Sequence, residues 1–190
     1  SQSPELEEHE CLIVCFLSHG EEGGLLYARN KTFMEEELWR PFYGDECKAP
    51  VDKPKLFFIQ ACRGARVDDG VKSKLNSDCL SGDEHDGLAQ NKEYHLPTHA
   101  NILIAHAAYE GHVAFRNRRV ESYFIYTLCE VFEKHSETLD ALRMLTMVAG
   151  IMADDFKSRS SEISWEEKKQ MPIIQSTLTK IAYLKPKSKS

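Results

Sequence analysis

The sequence predicts an α/β fold, a layered sandwich whose mostly parallel central sheet is flanked by helices. Three observations carry this: three nearly continuous apolar runs of strand length, two longer segments with helical apolar spacing, and the alternation of the two kinds along the chain. The runs are CLIVCFLSH at 11–19, KLFFIQAC at 55–62 and NILIAHAA at 101–108. They are rich in β-branched and aromatic residues and do not alternate with polar ones, so each reads as a strand covered on both faces, as in a parallel sheet.

The other elements follow in order. Between the first two runs, Thr32 and Glu35 form a T-x-x-E capping box ahead of FMEEELW, with Leu38 and Phe42 four apart on one face and Pro41 limiting the predicted helix. After the third run, helical spacing covers 121–135, through Phe124, Leu128, Val131 and Phe132, and 138–157, through Leu142, Leu145, Val148 and Met152. Pro172 opens PIIQSTLTKIAYL, whose alternation predicts a last strand. Residues 66–93 break this order. They show no periodicity and carry seven acidic side chains against four basic ones, the mark of a functional loop or a linker.

Composition narrows the function classes. The 190 residues carry 24 basic and 30 acidic side chains, a net charge of −6, which gives no support to nucleic-acid binding. At 42% hydrophobic and 28% charged, the chain reads as one soluble domain. Its longest apolar run, Leu12 to Leu17, falls far short of the roughly 18 residues a spanning helix needs, so no membrane contact is expected. The opening SQSPELEEHE lacks the basic start and apolar stretch of a secretory signal. Six cysteines without a C-x-x-C pair do not make a disulfide scaffold. Cys11, Cys15 and Cys129 sit in apolar surroundings and read as core, and a reducing cytoplasm fits best.

Chemistry gathers at two strand ends, where α/β sheets place their sites. The first run ends in Ser18-His19-Gly20 and the second in Gln60-Ala61-Cys62-Arg63-Gly64. A histidine beside a cysteine meets the basic need of thiol catalysis, since the imidazole can take the proton that leaves the thiolate. The backbone N–H groups of Gly20 and Cys62 can face a developing oxyanion. Taken singly, His19 or Cys62 has an equally simple structural reading; their joint placement beside glycines favours chemistry. No further thiol or imidazole is spaced to complete a metal site, and no cofactor is expected.

Gln60-Ala61-Cys62-Arg63-Gly64 resembles the caspase pentapeptide, in which the histidine lies about 50 residues upstream; here the separation is 43. SHGEEG at 18–23, KPKLFFIQACRG at 53–64, FRN at 115–117, SYFIYTLCEVF at 122–132 and KKQMPIIQSTLTK at 168–180 agree with it, the last being closer to effector caspases than to initiators. The resemblance implies an Asp-directed cysteine endopeptidase of apoptosis with a D-x-x-D preference. In it His19 is the general base and acid, Cys62 the nucleophile, and Gly20 with Cys62 the oxyanion donors. It further implies that Gln60 and Arg116 hold the carboxylate of the substrate's P1 aspartate, the residue before the cut. Val113, Ala114, Phe115 and Tyr123 would wall the neighbouring subsites and Trp165 the distal ones. For Phe115 and Tyr123 core packing is the competing reading.

By the same resemblance the chain divides into a large-subunit portion, 1–65, an intersubunit linker, 66–93, and a small-subunit portion, 94–190. Activating cleavage is then expected after Asp86 in Asp83-Glu84-His85-Asp86-Gly87, with Asp69 and Asp78 as secondary candidates. Expected partners are protein substrates carrying the P1 aspartate, a second processed copy paired through QSTLTKIAYL, and caspase inhibitor proteins. Caspase catalytic domains also carry two strands and a helix ahead of the first run seen here, supplying another carboxylate-binding arginine. A chain shortened at that point is instead expected to be catalytically weak and to act as a dimerising regulator of caspases.

Overall fold

The computed structural model describes residues 9–44, 46, 52–70, 96–116 and 122–185. Among the described residues, seven strands and two α-helices form an α/β arrangement: β1 (Leu12–Leu17), β2 (Gly20–Glu21), β3 (Leu25–Tyr27), β4 (Thr32–Met34), β5 (Lys55–Gln60), β6 (Ile102–His106), α1 (Tyr123–His135), α2 (Ala141–Asp155) and β7 (Ile173–Ser176). The main sheet runs β1-β5-β6-β7, with β1, β5 and β6 parallel and β7 antiparallel at the edge. A three-stranded antiparallel sheet, β2-β3-β4, grows directly out of the end of β1.

The two-residue period of a strand sorts the main sheet into two faces. Leu56, Phe58, Leu103 and Ala105 face the helices and pack with Phe124, Leu128, Val131, Met144, Leu145, Val148 and Met152. Phe57, Ile59, Ile102 and Ile104 face the opposite side, where Leu26 of the small sheet and Trp39 close a second core. Each helix starts on a side-chain cap: Ser122 accepts from Ile125 N, and Asp140 from the amides of Leu142 and Arg143. No helix among the described residues is long and apolar enough to cross a membrane.

β5 and β6 are buried throughout, as their continuous apolar runs predict. β1 is not. Its residues alternate between half-buried and exposed, with Ile13 47% and Leu17 50% exposed, because among the described strands β1 is an edge whose helix-side face is left uncovered. The same edge position corrects the reading of Cys15 as core, since it shares that outward face, and Cys129 is exposed on α1. The Thr32-x-x-Glu35 helix is also corrected. Thr32 belongs to β4, and two short 3₁₀ turns, Glu35–Leu38 and Arg40–Phe42, follow it. Glu37 takes the cap position, accepting from Met34 N at 3.1 Å, while Glu35 turns inward. The last apolar stretch is a strand over Ile173–Ser176 only.

Candidate active site

The parallel pairing of β1 with β5 builds the site. Leu17 stands opposite Gln60, and Ser18 N donates to Gln60 O at 3.0 Å, carrying the ladder one residue past the strand. Two residues beyond these partners lie His19 and Cys62, at the same level and, by the strand period, on the same helix-facing side. Gly20 lies so close to this end of β5 that an added Cβ would come 2.4 Å from the carbonyl oxygen of Cys62. A side chain at position 20 would force the two strand ends apart.

Cys62 is half-buried and free. Its Sγ accepts from Ala114 N at 3.4 Å and lies 3.6 Å from Ala114 O, so the segment 113–116 runs against the thiol. That segment is fixed from behind by a short backbone ladder. Arg63 N donates to His112 O, Gly111 N to Arg63 O, Arg66 N to Gly111 O and Val113 N to Arg66 O, all between 2.8 and 3.0 Å. Gly64 and Gly111 permit this approach: each has a positive φ, 153° and 77°, and a Cβ on Gly64 would sit 2.3 Å from Gly111 backbone atoms.

Among the expected substrate contacts, Val113 and Ala114 are buried, Phe115 is half-buried and Arg116 is exposed. Phe115 packs on Phe156 at 5.7 Å and edge-on against Trp165 at 6.2 Å; Tyr123 reaches the same Phe156 at 5.2 Å. The structure therefore brings Phe115, Tyr123 and Trp165 into one aromatic group, in which Phe115 and Tyr123 both pack on Phe156 and Trp165 joins through Phe115. Burial is the main cause that pushes the Tyr123 phenol above its ordinary range, with Asp155 and Glu130 adding to it. Gln60 is buried, and its Oε1 accepts from the Oγ of Ser122, the residue that caps α1. Asp69 is exposed and pairs with Lys168; Asp78, Asp86 and most of the 66–93 linker lie outside the described residues.

Sequence reasoning missed a charged cluster behind Cys62. Arg63 points to the opposite side of the sheet from Cys62 and is 7% exposed. Its Nη2 lies 3.0 Å from Glu35 and 2.6 Å from Glu110. His106, 1% exposed, sits with Nδ1 3.6 Å from the other Glu35 oxygen, and neither ring nitrogen makes a hydrogen bond among the described residues. Burial, reinforced by the Arg63 charge, holds His106 neutral, its pKa lowered to about 3. Burial likewise raises Glu35, more than the Arg63 charge and hydrogen bond lower it. The signal for Glu35 was present but misread as a helix cap. Neither Phe156 nor Ser122 was singled out in the sequence: Phe156 falls within the helical pattern over 138–157 and Ser122 within that over 121–135.

The chain matches the caspase domain family over residues 1–183. It is 38% identical to Caspase-7 of Gallus gallus over 175 residues, 91% of this chain and 54% of that protein. It is 37% identical to Caspase-3 of Bos taurus over 171 residues, 90% of this chain and 58% of that protein. The crystal structure of Caspase-1 from Spodoptera frugiperda superposes with a TM-score of 0.81 at 35% identity, covering 93% of this chain and 65% of that one. The chain thus spans a little over half the length of these curated relatives.

Proposed function

Since the chain belongs to the caspase family, we propose that it supplies the catalytic part of a cysteine endopeptidase that cleaves after aspartate. The observation that carries this reading is the parallel pairing of β1 with β5, which sets side by side the two strand ends that lead into His19 and Cys62, with Gly20 pressed against the Cys62 backbone. In the first half-reaction His19 takes the Cys62 proton and the thiolate attacks the scissile carbonyl. Gly20 N–H and Cys62 N–H stabilise the resulting oxyanion. His19 returns the proton to the leaving amine, leaving a thioester, and then activates the water that hydrolyses it and regenerates the thiol.

Specificity for aspartate follows from chemistry that an acidic protein can still provide. Arg116 offers a planar fork that binds a carboxylate bidentately and keeps its charge. With its oxygen held by Ser122, Gln60 would turn its NH₂ donors to the same carboxylate. Val113 and Ala114, and the Phe115, Tyr123, Trp165 group, would form the further subsites. The effector-type resemblance supports a D-x-x-D preference, activation by cleavage after Asp86 between the 1–65 and 94–190 portions, and work in apoptosis. It supports a cytoplasmic homodimer of processed chains and control by inhibitor proteins. The test is turnover of an Asp-x-x-Asp reporter peptide before and after cutting at Asp86, with Cys62→Ala as the control. Cys62-dependent turnover is expected after cutting; its absence in both forms overturns the reading. For the processing site, an Asp86→Ala chain treated with an active effector caspase should stay whole, and fragments of unchanged size would sink that assignment.

A further inference from the structure

The segment 113–116 is held by three backbone donors, and they have different sources. Val113 N donates to Arg66 O at 2.9 Å and Ala114 N to Cys62 Sγ at 3.4 Å, both in the loop that carries the nucleophile. Phe115 N donates to a side chain instead, the Oε1 of Gln170, at 2.7 Å. Gln170 lies between α2 and β7, is 3% exposed, and uses the other half of its amide to donate from Nε2 to Ala107 O at 2.8 Å. Its orientation is unambiguous, since one neighbour is a pure donor and the other a pure acceptor.

We propose that Gln170 is a positioning residue that sets the substrate-binding segment relative to Cys62. This rests on the reading above that 113–116 receives the substrate. Ala107 is the first residue past β6, so a single buried amide clasps the rigid end of that strand to the segment eight residues further on. Three consequences follow from fixing Phe115. Its ring is placed against Phe156 and Trp165, Arg116 is placed immediately after it, and the Ala114 N–H stays on the thiol. Without the clasp two backbone groups, the part-buried Phe115 N–H and the buried Ala107 C=O, lose these partners together. The substrate segment would then depend on the nucleophile loop alone.

Two variants separate this role from general support of the fold. Gln170→Met removes both hydrogen bonds at similar volume; Gln170→Glu keeps an acceptor for Phe115 N–H. One readout needs no activity: hydrogen exchange of the Phe115 amide should speed up by about tenfold in Gln170→Met, as loss of one hydrogen bond of ordinary strength implies, and by less in Gln170→Glu. Amides in α1 and α2 should be unchanged. The second is kinetic: KM for an Asp-x-x-Asp peptide should rise by about tenfold in Gln170→Met while kcat changes less than twofold. Unchanged Phe115 exchange in both variants, or equal acceleration across both helices, overturns the proposal. If the parent shows no Cys62-dependent turnover, the enzyme reading fails, and the exchange readout alone decides the role of Gln170. If Gln170→Met does not fold, Gln170→Glu is read by the same criteria.

Discussion

Cys62 and Arg63 are neighbours in sequence and open onto two very different regions. On the helix side of the sheet, Cys62 meets the Ala114 backbone, with His19 and Arg116 exposed nearby. On the other side, Arg63 is buried between Glu35 and Glu110 and backed by a neutral His106. The strand period sends alternate residues to opposite faces, so Gln60 and Cys62 go one way and Ala61 and Arg63 the other. The first region leaves its charged side chain, Arg116, exposed and without a carboxylate ion-pair partner among the described residues. The second satisfies its charges internally. Two arginines that look alike in the sequence thus have opposite meanings: Arg63 is already neutralised by carboxylates, whereas Arg116 has no carboxylate ion-pair partner among the described residues.

The largest expected effect tests the open region directly. Cys62→Ala should lower turnover of the Asp-x-x-Asp reporter by at least about 10⁴-fold, as removal of a nucleophile does in serine proteases. Thermal stability should hardly change, because Cys62 is only half-buried. Residual turnover close to the parent's would place the nucleophile elsewhere.

The two arginines can then be set against each other. Arg63→Ala leaves Glu35 largely buried without its cation, and removing one partner of a buried pair costs about 3–5 kcal/mol. It should lower the melting temperature sharply. Arg116→Ala removes an exposed side chain, so stability should hold while kcat/KM for the aspartyl peptide falls by about 10²-fold or more, the scale of losing one partner of a charged contact. If both variants melted alike and both retained aspartate cleavage, the contrast between the two regions would be wrong.

His106 gives the buried region a pH signature. Its folded pKa, about 3, lies below the value near 6.5 of an unfolded chain, so below pH 6.5 the unfolded chain takes up a proton that the fold refuses. Stability is therefore lost as pH falls through 6.5 towards 3, by about 2 kcal/mol between pH 6.5 and 5. Glu35 runs the other way. Its raised pKa means that the folded chain takes up a proton more readily than the unfolded one, so acid relieves its burial. His106→Phe should flatten the fall in denaturation midpoint between pH 6.5 and 5, leaving the opposite slope of Glu35 to show. An unchanged pH profile would mean that His106 gains a proton at no cost, against its lack of a hydrogen-bond partner among the described residues.

The same two regions show what a sequence can reveal. β5 and β6 were legible because burial on both faces leaves continuous apolar runs, and the strand-end motifs located His19, Gly20 and Cys62 with no knowledge of packing. β1 read identically although its helix-side face is exposed, because strand sequence does not report what covers it. Glu35, Glu110, His106 and Gln170 were not legible as a group. They come from separate elements, and their roles depend on which face each strand turn presents. Glu35 also carried a competing local meaning as a cap, and local hydrogen-bond patterns do not reveal when a distant arginine wins.

The smallest effect probes the point where stability and site meet. Ser122 is 1% exposed; its Oγ accepts from Ile125 N at 3.2 Å to cap α1 and donates to Gln60 Oε1. Ser122→Ala loses the cap, which costs about 1 kcal/mol, and leaves the Gln60 oxygen without its donor. Ser122→Thr keeps a hydroxyl for both bonds, and Ser122→Asp keeps the cap but cannot donate to Gln60. If Gln60 helps to hold the P1 aspartate, its amide must be fixed with the NH₂ outward, so the three variants should separate. Alanine should lose a few degrees of melting temperature and gain KM, threonine should stay near the parent, and aspartate, whose buried carboxylate would face the Gln60 oxygen, should lose stability despite its cap and gain KM most. A KM unchanged in both the alanine and the aspartate variants would reduce Ser122 to a helix cap and leave Gln60 outside the pocket.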